Sequence, residues 1–161
     1  MSEKIEQVHV TELLDRAELS DEQRADLEVA TKARLSAYAP YTHFQVGAAI
    51  RTADDEVYSG WNLQTIMYEG PHAEANAICH MAPESREAGI KRVTVVGAPE
   101  GDENYEDACR CCGECRQFLF EFLKPGDNPE VISAGVKGKV KRTLLRQDLP
   151  DAFSPEVLKK A

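Results

Sequence analysis

Phe44-Gln45-Val46-Gly47-Ala48-Ala49-Ile50 is the stretch on which the fold turns. Phe44, Val46, Ala48 and Ile50 alternate with Gln45, Gly47 and Ala49, the two-residue period of a strand, and the small residues let a neighbouring element pack close. The polar turn Ala53-Asp54-Asp55 leads to a second strand, Glu56 to Asn62, so the two form a hairpin. On the N-terminal side a helix starts at Ser20, where Ser20 and Gln23 make a capping-box pattern. Leu27, Ala30, Ala33 and Ala37 follow at helical spacing, and Pro40 ends the run. Residues 1–19 are polar and read as a loosely ordered extension, with at most one short helix near Thr11 to Ala17. On the C-terminal side, residues 63–70 form a loop ending in Gly70-Pro71. Proline suits the first helical position, because its missing N–H would be unpaired there anyway, and Pro83 stops the helix it opens. A strand from Lys91 to Gly97 precedes an acidic loop, Glu100-Gly101-Asp102-Glu103-Asn104. The cysteine cluster then opens a helix with Cys115, Phe118, Leu119 and Phe122 on one face, broken at Lys124-Pro125-Gly126. Val131 to Val136 is a further strand, and Leu149-Pro150 to Leu158 reads as a turn with a short helix. Strands alternating with helices after a hairpin predict one α/β domain over residues 1–161, with helices on both faces of a mixed sheet.

A chain of 161 residues can bury roughly 70% of its unfolded surface in one core. The charged stretch Met1-Ser2-Glu3-Lys4-Ile5-Glu6 has no apolar segment of a secretory signal. No apolar run approaches the ~20 residues of a membrane span, the longest strand-like one being Val93 to Ala98. A cytoplasmic location and no membrane partner are expected. In that setting the five cysteines, four of them between Cys109 and Cys115, point to metal or thiol chemistry rather than to disulfides. The net charge of −9 repels a polyphosphate backbone, so no nucleic-acid partner is expected. The one basic cluster, Lys137, Lys139, Lys141 and Arg142, alternates with Val136, Gly138 and Val140. It reads as a solvated edge strand or hairpin rather than a phosphate site. A free small molecule is the expected substrate.

Two short stretches carry the chemistry. Gly70-Pro71-His72-Ala73-Glu74 supplies an imidazole and a carboxylate two residues apart, and Cys112-Gly113-Glu114-Cys115 supplies two thiols three apart. One neutral His and two thiolates give a divalent zinc three protein ligands and leave a fourth position for water, the ligand count of a catalytic site. A carboxylate beside that water can move protons. Both stretches fall at helix starts, whose unpaired N–H groups and positive dipole ends favour thiolates. The competing reading is a structural zinc built from cysteines alone, since Cys109-x-x-Cys112 has the right spacing too. Its fourth ligand would be Cys79, or Cys111, which abuts Cys112. A redox role for the Cys-x-x-Cys is a further alternative. Cys79 and His80 lie ~11–12 Å beyond His72 along a helix and cannot share its ion.

From Tyr38-Ala39-Pro40-Tyr41 to Leu158 the chain resembles the small, homo-oligomeric cytidine deaminases. The matching pieces are Tyr41 to Ala49, Gly60-Trp61-Asn62, His72-Ala73-Glu74, Cys112-Gly113-Glu114-Cys115-Arg116-Gln117 and Leu149 to Pro155. His-x-Glu followed by Pro-Cys-x-x-Cys is the signature of zinc nucleobase deaminases; here Cys111 stands in place of the proline. The resemblance implies a three-layer α/β/α sandwich with a mixed sheet of about five strands, a homo-oligomer with a tetramer favoured, and hydrolysis of cytidine or deoxycytidine to the uridine product and ammonia. It implies that His72, Cys112 and Cys115 hold Zn2+ and that Glu74 carries the protons. It also implies that Phe44, Asn62, Gln64 and Ala73 contact substrate and that Phe153 packs near a neighbouring subunit's base. Three of these have a plainer alternative: Phe44 as a core strand residue, Asn62 as a strand-end turn, Phe153 as a tail anchor. Zinc with two thiolates and a neutral His sums to zero charge. Three-cysteine relatives resemble one another in an arginine just after the Ala-Glu pair, where this chain has Ala75.

Two departures touch the substrate. The family's ribose-binding glutamate corresponds to Gln64, a weaker hydroxyl acceptor than a carboxylate. The loop Leu63 to Gly70 also departs from the cytidine deaminase pattern, and its Gly-Pro resembles that of blasticidin-S deaminases. A modified cytosine nucleoside is therefore an alternative substrate, and a zinc-stabilised binding module without turnover is the alternative of another class.

Overall fold

Hydrophobic alternation sorts the chain into three layers. The structure, a computed structural model, describes residues 11–67 and 70–154. Six strands form one sheet: β1 (Glu12–Leu14), β2 (Phe44–Thr52), β3 (Val57–Trp61), β4 (Ile90–Pro99), β5 (Glu130–Ala134) and β6 (Val140–Leu144), in the spatial order β1-β6-β5-β4-β2-β3. The β4–β5 pair is parallel and every other pair antiparallel, so the sheet is mixed. Among the described residues four helices accompany it: α1 (Asp21–Arg34), α2 (Ala73–Ser85), α3 (Gly113–Phe120) and α4 (Leu145–Asp148). Ala48, Ile50, Val93, Val95 and Val131 turn to one face, where Ala77, Ile78, Met81 of α2 and Leu119 of α3 cover them. Ala49, Val96, Ile132 and Val140 turn to the other face and meet Leu27 and Ala30 of α1. This is the three-layer arrangement expected from the sequence, with one more strand.

The extra strand corrects the reading of residues 1–19. Glu12–Leu14 pairs antiparallel with β6, and a short 3-10 turn follows at Arg16–Glu18. The Arg16 guanidinium donates to the carbonyls of Gly138 (2.9 Å) and Gly135 (2.8 Å). Residues 12–14 are therefore a strand of the sheet and 16–18 a short 3-10 turn tied to the β5–β6 connection, rather than a loose extension; residues 1–10 lie outside the described residues. Consequently β6 is the hairpin partner of β5, as expected, but not an edge. The expected tail helix falls mostly on residues 155–161, also outside them. No helix among the described residues is long and apolar enough to cross a membrane.

The cap of α1 forms as its sequence predicts. Ser20 Oγ accepts from the Gln23 N–H (3.2 Å) and Gln23 Oε1 accepts from the Ser20 N–H (2.9 Å). Further along, buried Asp26 receives Arg51 of β2 at 2.6 Å and Arg92 of β4 at 2.7 Å, while Arg92 also reaches Glu130 of β5 at 2.8 Å. These bonds fix where α1 lies on the sheet. Ser20→Ala is expected to lower unfolding free energy by about 1 kcal/mol, seen as a lower urea midpoint at unchanged slope. An unchanged midpoint would show that the cap contributes nothing.

Two proline readings need adjustment. His72, with extended backbone (φ −67°, ψ 163°), is the N-cap, so α2 begins after Pro71 rather than on it. The Pro71 carbonyl instead accepts from the Leu63 N–H at 3.1 Å. Pro83 sits inside α2, which runs on to Ser85.

Candidate active site

The site is assembled where two helices start beneath one end of the β2–β3 hairpin. His72 caps α2, and Cys112 caps α3, its Sγ accepting from the Cys115 N–H at 3.4 Å. His72 Nδ1 lies 3.3 Å from the sulfur of Cys112 and 3.3 Å from that of Cys115. All three donor atoms fall within 4.8 Å of one another, the one His/Cys/Asp/Glu group of this kind among the described residues. A tetrahedral zinc with ~2.3 Å bonds to sulfur and ~2.0–2.1 Å to nitrogen holds its donors roughly 3.5–3.8 Å apart. The set therefore fits zinc in spacing and in donor chemistry. The all-cysteine alternative does not assemble: Cys109 and Cys111 lie outside the group and Cys79 is exposed.

The thiols differ according to their surroundings. A hydrogen bond from Cys111 is the largest influence on Cys115 and, with Cys112 and His72, holds it below the ordinary thiol range against the effect of burial. Cys111 is correspondingly pushed up, first by that bond and then by burial and by Glu74. Burial raises Cys112, and it raises Cys109 to about 12. For His72, burial alone would lower the imidazole; its bond to Cys115 and the nearby Cys115 and Glu74 charges outweigh that and raise it.

Glu74 stands in the first turn of α2 and is 4% exposed. Its carboxylate lies at the positive end of the helix. Phe44, Asn62, Gln64, His72, Ala73, Glu74, Cys112 and Cys115 all line one cleft of about 1440 Å³. Phe44 also packs edge-on against Tyr105, with ring centroids 5.8 Å apart. Asn62 is tied to β2: its Oδ1 accepts from the Val46 N–H (2.8 Å) and its Nδ2 donates to the Phe44 carbonyl (3.0 Å). The strand-closing role is thus present, and each amide atom retains capacity for one further bond. Gln64 is held at both ends by Thr42, through the Thr42 N–H (3.2 Å) and Oγ1 (2.8 Å).

Phe153 does not line the cleft. Its main chain exchanges two hydrogen bonds with the Gln117 amide (2.9 and 3.0 Å), and the residue stays 59% exposed. Arg110 and Glu121 line the cleft as well, and neither was singled out from the sequence. Arg110 could have been, since it lies within the cysteine cluster.

Residues 20–125 match the family described as "Cytidine and deoxycytidylate deaminase zinc-binding region". The chain belongs to that family. A cytidine deaminase of Sporosarcina psychrophila is 34% identical over 127 residues, 79% of this chain and 88% of that protein. One from Halalkalibacterium halodurans is 31% identical over 131 residues, 81% of this chain and 92% of its own length. The crystal structure of cytidine deaminase from Burkholderia pseudomallei superposes with a TM-score of 0.70 at 35% identity, covering 84% of this chain and all (100%) of that one. The three-layer fold is therefore that of the solved deaminases, and zinc is the cofactor that the family and the donor set share.

Proposed function

We propose that this chain hydrolyses the amino group of a cytosine nucleoside, cytidine or deoxycytidine, releasing the uridine product and ammonia. The observation that carries the reading is the His72 imidazole 3.3 Å from two cysteine sulfurs, with buried Glu74 in the same cleft. In this reading His72 through Nδ1, Cys112 and Cys115 hold zinc. When bound, the metal supplies Lewis-acid activation, which brings the pKa of water toward ~7. Glu74 accepts the proton of the attacking water and delivers it to ring nitrogen N3. Once the C4–O bond has formed, Glu74 passes the second proton to the exocyclic amine and the C4–N bond breaks. Phe44 and Ala73 bound the base, and Asn62 and Gln64 lie toward the sugar.

A second reading, deamination of a modified cytosine nucleoside such as blasticidin S or an N4-substituted cytidine, is favoured by Gln64. Its amide is bonded at both ends to Thr42, so it offers the sugar less than a free carboxylate would. Conversion of the cytosine ring to uracil, followed by chromatography of the product, in cytidine, deoxycytidine, cytosine, blasticidin S and N4-substituted cytidines, alongside zinc analysis, separates the two. Turnover of cytidine or deoxycytidine above the rest supports the first, and preference for a modified nucleoside the second. Zinc-loaded protein inert on all of them would overturn both.

A homo-oligomer, a tetramer by resemblance, is supported by apolar groups left in water: Leu63, Ile66, Met67, Phe118 and Phe153. Unpaired cysteines suit a reducing compartment, so we place the reaction in the cytoplasm.

A further inference from the structure

The basic cluster of the C-terminal hairpin does not stay together in the fold. Alternation along β6 sends Arg142 to the α1 face, where it pairs with Glu12 (2.8 Å) and Glu130 (2.7 Å). Lys139 pairs with Asp15 at 3.7 Å. Lys141 instead lies opposite Ser133 of β5 in the antiparallel register, on the face covered by α3. There a second cavity, about 230 Å³, has Arg110, Arg116, Ser133, Lys141, Thr143 and Asp148 among its lining residues.

The polar groups around it are under-used. The side chains of Arg110 and Lys141 make no hydrogen bond or ion pair among the described residues, whereas Arg34, Arg51, Lys91, Arg92 and Arg142 each meet a carboxylate. Among the described residues the Arg116 guanidinium makes a single hydrogen bond, to the Asp148 carbonyl at 3.0 Å, and its buried Nε has no partner. Ser133 is 4% exposed, and its hydroxyl likewise has no partner among the described residues. Thr143 spends its hydroxyl on the Asp148 carboxylate at 2.6 Å. Among the described residues, three cations and one carboxylate thus line a small cavity, in a chain whose net charge is −9.

We propose that this cavity binds a compact oxyanion of the phosphate class, held by Arg110, Arg116, Lys141 and the Ser133 hydroxyl. The volume is below the roughly 300–1,000 Å³ of drug-sized ligand sites, which suits a tetrahedral oxyanion rather than a second nucleoside. Guanidinium and ammonium donors make charge-assisted bonds to such a group. Arg110 lines both this cavity and the cleft, so the two sites adjoin.

Calorimetric titration of the zinc-loaded protein with inorganic phosphate, against chloride at matched ionic strength, tests this. Saturable phosphate binding is expected, weakened about tenfold in Lys141→Met, which keeps the aliphatic stem and removes the charge. Ser133→Ala, a smaller change, is expected to weaken it too and serves if Lys141→Met does not fold. Phosphate bound in the cleft, or stabilising the protein only as a salt, would leave both variants like the parent and overturn the proposal. So would the absence of binding beyond chloride. Glycerol phosphate gives the source: tighter binding than inorganic phosphate marks a phosphate ester, weaker binding the free anion.

Discussion

Glu74→Ala is expected to lower ammonia release by about 10³–10⁴-fold, toward the upper end of what a positioned proton carrier contributes. The reason is the number of transfers assigned to one carboxylate: from water, to the ring, and to the departing amine. Zinc content is expected to hold at the parent level, because the three donors that converge are His72, Cys112 and Cys115. Glu74→Gln, of nearly the same volume, is expected to be equally inactive, which separates proton carriage from packing at a buried position. The pair of measurements also distinguishes an enzyme from a zinc-stabilised binding module, which would have no turnover to lose. Either variant turning over nucleosides at the parent rate would remove Glu74 from the mechanism.

The second large effect is expected at Gly60, far from the reacting atoms in role though near them in space. A Cβ at this position would sit 2.3 Å from the Ala77 nitrogen, 2.4 Å from the Ala73 oxygen and 2.9 Å from the Ala77 Cα. These are backbone atoms of α2 and cannot rotate aside as a side chain would. Overpacking a core costs about 1–3 kcal/mol where side chains can adjust, so Gly60→Ala is expected at or above the top of that range. Relief requires α2 to lift from β3, and α2 carries His72 and Glu74 at its start. A displacement of roughly 1 Å can cost about 10²-fold in rate. The urea midpoint, the zinc content and the rate should therefore fall together. A midpoint like the parent's would show that α2 can shift at little cost and that the close approach does not position the site.

Legibility from the sequence followed the range of each signal. α1 could be read to its first residue because Ser20 and Gln23 state the cap locally. The hairpin could be read because β2 alternates cleanly and Asp54-Asp55 marks the turn. The metal set was readable because its residue types are rare and its spacings short, although the choice of Nδ1 on His72 is a property of the assembled site. β1 was not readable: it has 3 residues, no apolar period, and a partner strand more than a hundred positions away. That pairing in turn hid the interior position of β6. Asn62 shows a different limit. Its type suggested a turn or a ligand, but only the fold shows its amide bridging to the β2 backbone at both ends.

The two caps at the metal centre constrain what this chain can become. Ser20 is the kind of residue that best satisfies a helix start. His72 makes no side-chain cap bond at all, and Cys112 offers only a weak sulfur acceptor at 3.4 Å. In the proposed site both positions serve chemistry at the expense of helix stability. Selection for thermal robustness alone would favour serine or aspartate there and would discard the donor set. Heat tolerance in this lineage must therefore be gained elsewhere, in the α1 face or the sheet, while the two helix starts at the site stay suboptimal.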